Sequence, residues 1–185
     1  MSPPVSFELG DERLRIEAGA RTDWFVDPAG ESEPVTTGPA LVGRAEGDYT
    51  LGARVGVDFE ATFDAGVLML YSDERRWAKL CFELSPDRRP LVVSVVTRGE
   101  SDDCNSFAVD GTSIWLRVAK MGRAFAFHAS SDGLRWELVR HFSLGGSADP
   151  EIGFEAQSPT GQGCTATFDE IRFDPRRLDD LRGGD

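Results

Sequence analysis

Lys79 and Glu83 are the most informative charges in the chain, because they stand four residues apart in Trp77–Leu84, a run that alternates apolar and polar residues. At a strand period of two, they share a face with Trp77 and Cys81, while Ala78, Leu80, Phe82 and Leu84 share the other. A charge on a strand whose opposite face is wholly apolar needs a partner or water. Two arrangements meet that need. The pair can serve as hydrogen-bonding groups for a sugar or polyol, with Trp77 or Tyr71 offering a ring to stack on. Alternatively it forms an ion pair, or two separately solvated charges, on an open sheet face. Thr97, Ser101 and Asp102 fall at or just beyond a strand end, a common place for ligand loops, although a polar turn capped by its own Asx side chains looks the same. Arg117 and His128 point away from the core on adjacent strands and complete the candidate ligand-binding set.

Catalytic patterns are scarce. Glycoside hydrolysis needs two carboxyls about 5–9 Å apart across the scissile bond. Asp58 and Glu60 are the nearest pair on one strand, and they read as a solvent-facing row. Gly-x-Ser-x-Gly, phosphate loops and His-Glu-x-x-His are absent from the sequence. Asp73-Glu74 and Asp102-Asp103 lack the spacing of a calcium loop, so neither a metal nor a cofactor is assigned.

The elements that must position these groups read as strands throughout. Ile114 to Phe142 resolves into three, divided by turns at Met121-Gly122-Arg123 and Ser131-Asp132-Gly133. Leu116 and Val118, Phe125 and Phe127, and Trp136 and Leu138 recur every second residue and are assigned to the core, with Arg117, Ala126, His128, Glu137 and Val139 outside. With its indole in the core, Trp136→Ala costs roughly 3–5 kcal/mol. Residues 5–17 form two short strands, 40–45 and 50–60 two more, and the apolar run Val67–Tyr71 suits a strand covered on both sides. Pro90–Arg98 is β-branched and leads into a polar loop at Gly99–Ser106. Glu151–Ala156 and Thr165–Phe173 close the fold, the latter pairing with the first strand. Asp27–Pro39 is a long aperiodic excursion, and Trp24 with Asp23 closes over an edge, more by packing than by binding. No stretch carries a helical period, so helix content is very low. One domain over residues 1–175 with a short tail at 176–185 is the expected organisation.

The net charge of −12 opposes binding to phosphate backbones and anionic membranes, which excludes nucleic acid and membrane as partners. The first residues lack the basic start and apolar run of a signal peptide, and no stretch approaches the roughly 20 apolar residues of a membrane span. Cys81, Cys104 and Cys164 are odd in number and lack zinc or redox spacing, which fits a reduced, cytoplasmic protein.

Thr22-Asp23-Trp24-Phe25, Gly47-Asp48-Tyr49, Asp64-Ala65-Gly66-Val67-Leu68-Met69, Trp77-Ala78-Lys79 with Glu83, Ser94-Val95-Val96-Thr97 and Ser101-Asp102 follow one another in an order that resembles the regulation of enolase protein 1 family. Leu116-Arg117-Val118, Ser130-Ser131-Asp132-Gly133, Trp136 and Gln157-Ser158-Pro159 extend the resemblance to about residue 175. It implies a concanavalin A-like jelly-roll sandwich of two curved antiparallel sheets, whose concave face binds sugars in many relatives of the fold. The alternating Glu-x-Asp-x-x-Glu of catalytic relatives such as the laminarinases is missing here. The chain departs from the family at Ala65, where the Asp-Gln-Ala-Gly stretch is one residue short, and at Asp103, where Trp is usual. The implied function is a non-catalytic intracellular module for a carbohydrate or polyol. The alternatives are a regulator acting through contact with another protein, as the family's name implies for enolase, and less readily a glycoside hydrolase.

Overall fold

A computed structural model describes residues 3–146 and 149–185. Alternating sequences with no helical period bury one face per strand, and here they do so as two antiparallel sheets packed face to face. The seven-stranded sheet runs in the order β1 (Ser6–Leu9), β2 (Arg13–Gly19), β15 (Gly163–Asp174), β6 (Tyr49–Val57), β11 (Ser113–Met121), β12 (Ala124–Ser130) and β13 (Glu137–Phe142). The six-stranded sheet runs β10 (Ser101–Ala108), β9 (Pro90–Arg98), β8 (Arg76–Leu84), β7 (Ala65–Asp73), β14 (Glu151–Gln157) and β5 (Ala40–Gly43). This is the expected all-β jelly-roll class, and no helix occurs among the described residues.

The core lies between the sheets. Leu51, Ala53 and Val55 of β6, with Leu116 and Val118 of β11, meet Leu68 and Leu70 of β7 and Ala78, Leu80 and Phe82 of β8. Gly66 faces this core, and a Cβ there would overlap Val55 while crowding Val57 and Ala166. The last strand, β15, pairs with β2 and not with the first strand as expected; β1 lies outside β2 as the edge.

Three further expectations are corrected. Gly99–Ser106 is not a loop: Gly99, at φ 94°, turns the chain and β10 then pairs with β9. As an edge strand, β10 is mostly exposed and carries no apolar alternation to reveal it. On β15, an extra residue between Asp169 and Arg172, with Glu170 at φ 51°, breaks the alternation, so Phe168 opposite Val55 and Phe173 opposite Leu51 fall on one face despite their odd spacing, the first buried and the second exposed near the strand end. Finally, a register shift between Phe127 and His128 on the β12–β13 pair sets Leu138 opposite His128 and Arg140 opposite Phe127. Leu138 therefore joins a cluster on the outer face, Val139 packs toward the core, and Trp136 is half-buried under Arg117 at 4.1 Å. With the indole outside the core, Trp136→Ala is expected to cost about 1–2 kcal/mol, the scale of a partly buried cation–π contact. A thermal melt distinguishes that from the 3–5 kcal/mol of a core indole.

A strap carries residues 22–39 across the outer face of the six-stranded sheet and back. It starts at a bridge between Thr22 and Ser158 and reaches the far edge, where Val26 N donates to Ser101 Oγ at 3.0 Å and Ser101 N donates to the Val26 carbonyl at 2.9 Å. A two-stranded hairpin of β3 (Trp24–Phe25) and β4 (Val35–Thr36) returns it to β14. There Ala156 N donates to the Pro39 carbonyl.

Candidate functional site

The registers place Lys79 and Glu83 together on the outer face of the six-stranded sheet. Met69, Lys79, Val95 and Asp103 form one row across it, while Gln157, Ala65, Glu83 and Leu91 form another. Glu155 stands between them, in the row of Val67 and Cys81. The two positions at which the chain departs from the family pattern, Ala65 and Asp103, thus both face this cluster.

Lys79 is the centre. Its Nζ donates to Gln157 Oε1 at 2.8 Å and to Asp23 Oδ1 at 3.3 Å, and it lies 5.6 Å from the Trp77 ring centroid. The ion pair therefore forms with Asp23 of the strap and not with Glu83. Burial opposes the charge on Lys79, but the surrounding carboxyls, Asp23 foremost, outweigh it and hold the ammonium above its ordinary range. Burial pushes Glu83 up to about 8, with Lys79 drawing it partly back, and does the same to Glu155. Both are thus largely protonated at neutral pH. Burial also raises Asp103, although that residue keeps an exposed surface. Glu155 is fully buried, and neither of its carboxyl oxygens has a hydrogen-bond partner. Gly38 of the strap covers it so closely that a Cβ there would overlap Glu155 Oε1 and the Trp24 ring.

The aromatic residues are arranged for packing at one end and access at the other. Trp24 is fully buried, donates from Nε1 to the Gly38 carbonyl at 2.8 Å, and stands edge-on to Trp77 at 5.7 Å and to Tyr71 at 5.6 Å. Trp77 is consequently closed to a stacking ligand, whereas Tyr71 remains half-buried at the rim.

Thr97 and Ser101 lie on the same face, and their hydroxyls are 2.9 Å apart, but they are used to anchor the strap at Val26. Asp102 points to the opposite side of β10, where it pairs with Arg140 at 2.7 Å; Asp103 takes the place expected of it at the site. Arg117 and His128 do face away from the core, as their period requires, yet they belong to the other sheet and contribute nothing to the Lys79 cluster. Sequence reasoning missed Glu155 and Gln157 and undervalued Asp23. The polar parity of Glu151, Gly153, Glu155 and Gln157 along β14 was the available signal, since a central strand with carboxyls at one parity presents them to one face.

Among the described residues no group of three or more His, Cys, Asp or Glu side chains is arranged to hold a metal ion. Among the described residues no helix is long and apolar enough to cross a membrane.

A family model described as a protein of unknown function (DUF1349) matches residues 1–176. No curated protein matches the chain. Among solved structures, a functionally unknown protein from Saccharomyces cerevisiae superposes with a TM-score of 0.85 at 25% identity, covering 94% of each chain. A GH43 protein from Bacillus licheniformis is similar with a TM-score of 0.69 at 14% identity; 91% of this chain spans 38% of that one. The alginate lyase from Klebsiella pneumoniae is similar with a TM-score of 0.52 at 15% identity, over 91% of this chain and 83% of the lyase. The last two likenesses concern the fold alone.

Proposed function

We propose a function for this chain, which belongs to the DUF1349 family of proteins of unknown function: a non-catalytic module that binds a carbohydrate or similar polyol at the Lys79–Glu83–Glu155 face. The observation that carries the proposal is Glu155. A buried polar group without a partner costs about 1–3 kcal/mol, so its presence beside the half-buried Glu83 carboxyl and a buried ammonium is poorly explained by stability. Largely protonated at neutral pH, Glu83 and Glu155 each offer a donor and an acceptor, the combination that a sugar hydroxyl requires. Tyr71, Glu83 and Asp103 form the accessible rim, with Lys79 and Gln157 behind them. Three free cysteines fit an intracellular, reducing location.

A thermal-shift screen against mono- and oligosaccharides, sugar acids and polyols tests this, since a ligand at about 100 times its dissociation constant adds roughly 2.7 kcal/mol. Glu83→Gln keeps the shape and rim position while losing the carboxyl, and it is expected to retain the apo melting temperature within a few degrees yet lose the ligand shift at least tenfold in affinity. A shift unchanged in Glu83→Gln overturns the site. Turnover of an aryl glycoside that is abolished by Glu155→Gln overturns the non-catalytic reading. A blank screen favours action through protein contact, for which the exposed row Val5, Phe7 and Leu9 near and along edge strand β1 is the first surface to test.

A further inference from the structure

Arg117 on β11 and His128 on β12 are directly paired and face outward from the seven-stranded sheet, yet His128 is wholly buried and Arg117 nearly so. The closing segment of the chain lies over them. His128 Nε2 is 2.8 Å from the Leu181 carbonyl, which it meets as a donor, and Arg117 Nη2 donates to the Gly184 carbonyl at 2.7 Å. Leu178 and Leu181 sit on a floor of Ala119 and Ala126, with Met121 and Leu138 as walls. The segment closes on itself as a turn, with the amides of Gly184 and Asp185 both donating to the Asp180 carbonyl.

Two observations distinguish this seat from ordinary packing of a chain end. First, the polar atoms beneath it are only half used: the Arg117 Nε donor and the His128 Nδ1 acceptor are buried without a partner, and Asp185 acts on the Arg117 charge without forming an ion pair with it among the described residues. Burial draws Arg117 down to about 10 and His128 to about 4, so the guanidinium stays charged and the imidazole neutral at pH 7. The Nε edge of the guanidinium fork is thus left unanswered. Second, the family match ends at residue 176, so the groove belongs to the shared part of the chain while the segment covering it lies beyond.

We propose that this groove is a peptide-docking site, occupied in cis by residues 178–185. The partner it fits is an acidic peptide with two leucines three residues apart, followed by a glycine turn. The leucines fill the alanine-floored depression, a carbonyl after the second leucine meets His128, and a carboxylate completes the Arg117 fork. The resident segment, Leu178-Asp179-Asp180-Leu181-Arg182-Gly183-Gly184-Asp185, is the pattern's template.

The test uses the full chain and a fluorescein-labelled peptide copying residues 175–185. Leu178→Ala/Leu181→Ala removes the apolar anchors of the resident segment, and anisotropy is expected to show the peptide binding this variant at least tenfold more tightly than the wild type, with which the segment competes. Adding Arg117→Gln is expected to lower that affinity at least tenfold. Leu181→Ala alone, at the less buried of the two leucines, gives the same comparison if the double variant melts without a cooperative transition. Absence of peptide binding to a released, cooperatively melting variant overturns the proposal, as does binding that is indifferent to Arg117→Gln.

Discussion

Methionine in place of Lys79 is expected to lower the stability of the protein by about 3–5 kcal/mol at pH 7, the usual result of removing one partner of a buried ion pair. Methionine fills most of the lysine stem, so the loss isolates the ammonium. The side chain is 3% exposed and its charge answers Asp23 and the Gln157 carbonyl directly, with Glu83 and Glu155 close enough to feel it. Without it, Asp23 loses its counter-charge, the strap loses its polar tie to β8, and the two glutamates lose the cation that now partly offsets their burial. Urea denaturation followed by Trp fluorescence measures the change as a shift in midpoint at constant slope. A loss below about 1 kcal/mol would mean that the ammonium behaves as a solvated surface charge.

The second large effect is on pH. Glu83 and Glu155 move from an ordinary 4.5 to about 8 in the folded protein, so the folded state binds their protons more tightly than the unfolded state does. Below about 4.5 both states are protonated and folding gains the full benefit. As pH rises from there to about 8, the unfolded chain releases protons that the folded one still holds, and stability falls by up to ~1.4 kcal/mol per pH unit for each carboxyl. Asp103, raised as well but exposed to solvent, contributes with the same sign and a smaller size. Lys79 stays charged across the window and adds none. Glu155→Gln is expected to leave stability at pH 5 near that of the wild type and to exceed it at pH 8, because the glutamine has no proton to lose. Urea midpoints at pH 5, 6.5 and 8 decide the matter; a flat wild-type profile would show that water reaches both carboxyls.

How legible a strand is in the sequence depends on where it sits in the sheet. On β8 the alternation is complete, and Ala78, Leu80, Phe82 and Leu84 are all core while Lys79 and Glu83 share the other face. A central strand has neighbours on both sides, so its period survives into the fold. On β13 one register shift moved Leu138 and Trp136 to the outer face, and no residue type there announces it. β10 was hidden because an edge strand with little burial has nothing to alternate. The strap was hidden for a different reason: its hairpin has strands of two residues, and the burial of Trp24 comes from Trp77 and Tyr71, some 50 residues downstream. The site followed the same logic. Lys79 was legible from its strand, whereas its partners Asp23 and Gln157 come from segments that only the topology brings together.

Under the proposed function, the strap also sets a clock on recognition. A ligand that touches only the rim at Glu83 and Asp103 meets a preformed surface and associates on encounter. One that needs the Glu155 carboxyl must wait while Gly38 and Trp24 lift away, so its observed rate levels off at the opening rate as concentration rises. Its apparent dissociation constant is the intrinsic one divided by the open fraction. Deep and shallow ligands of equal contact would thus separate by kinetics before they separate by affinity.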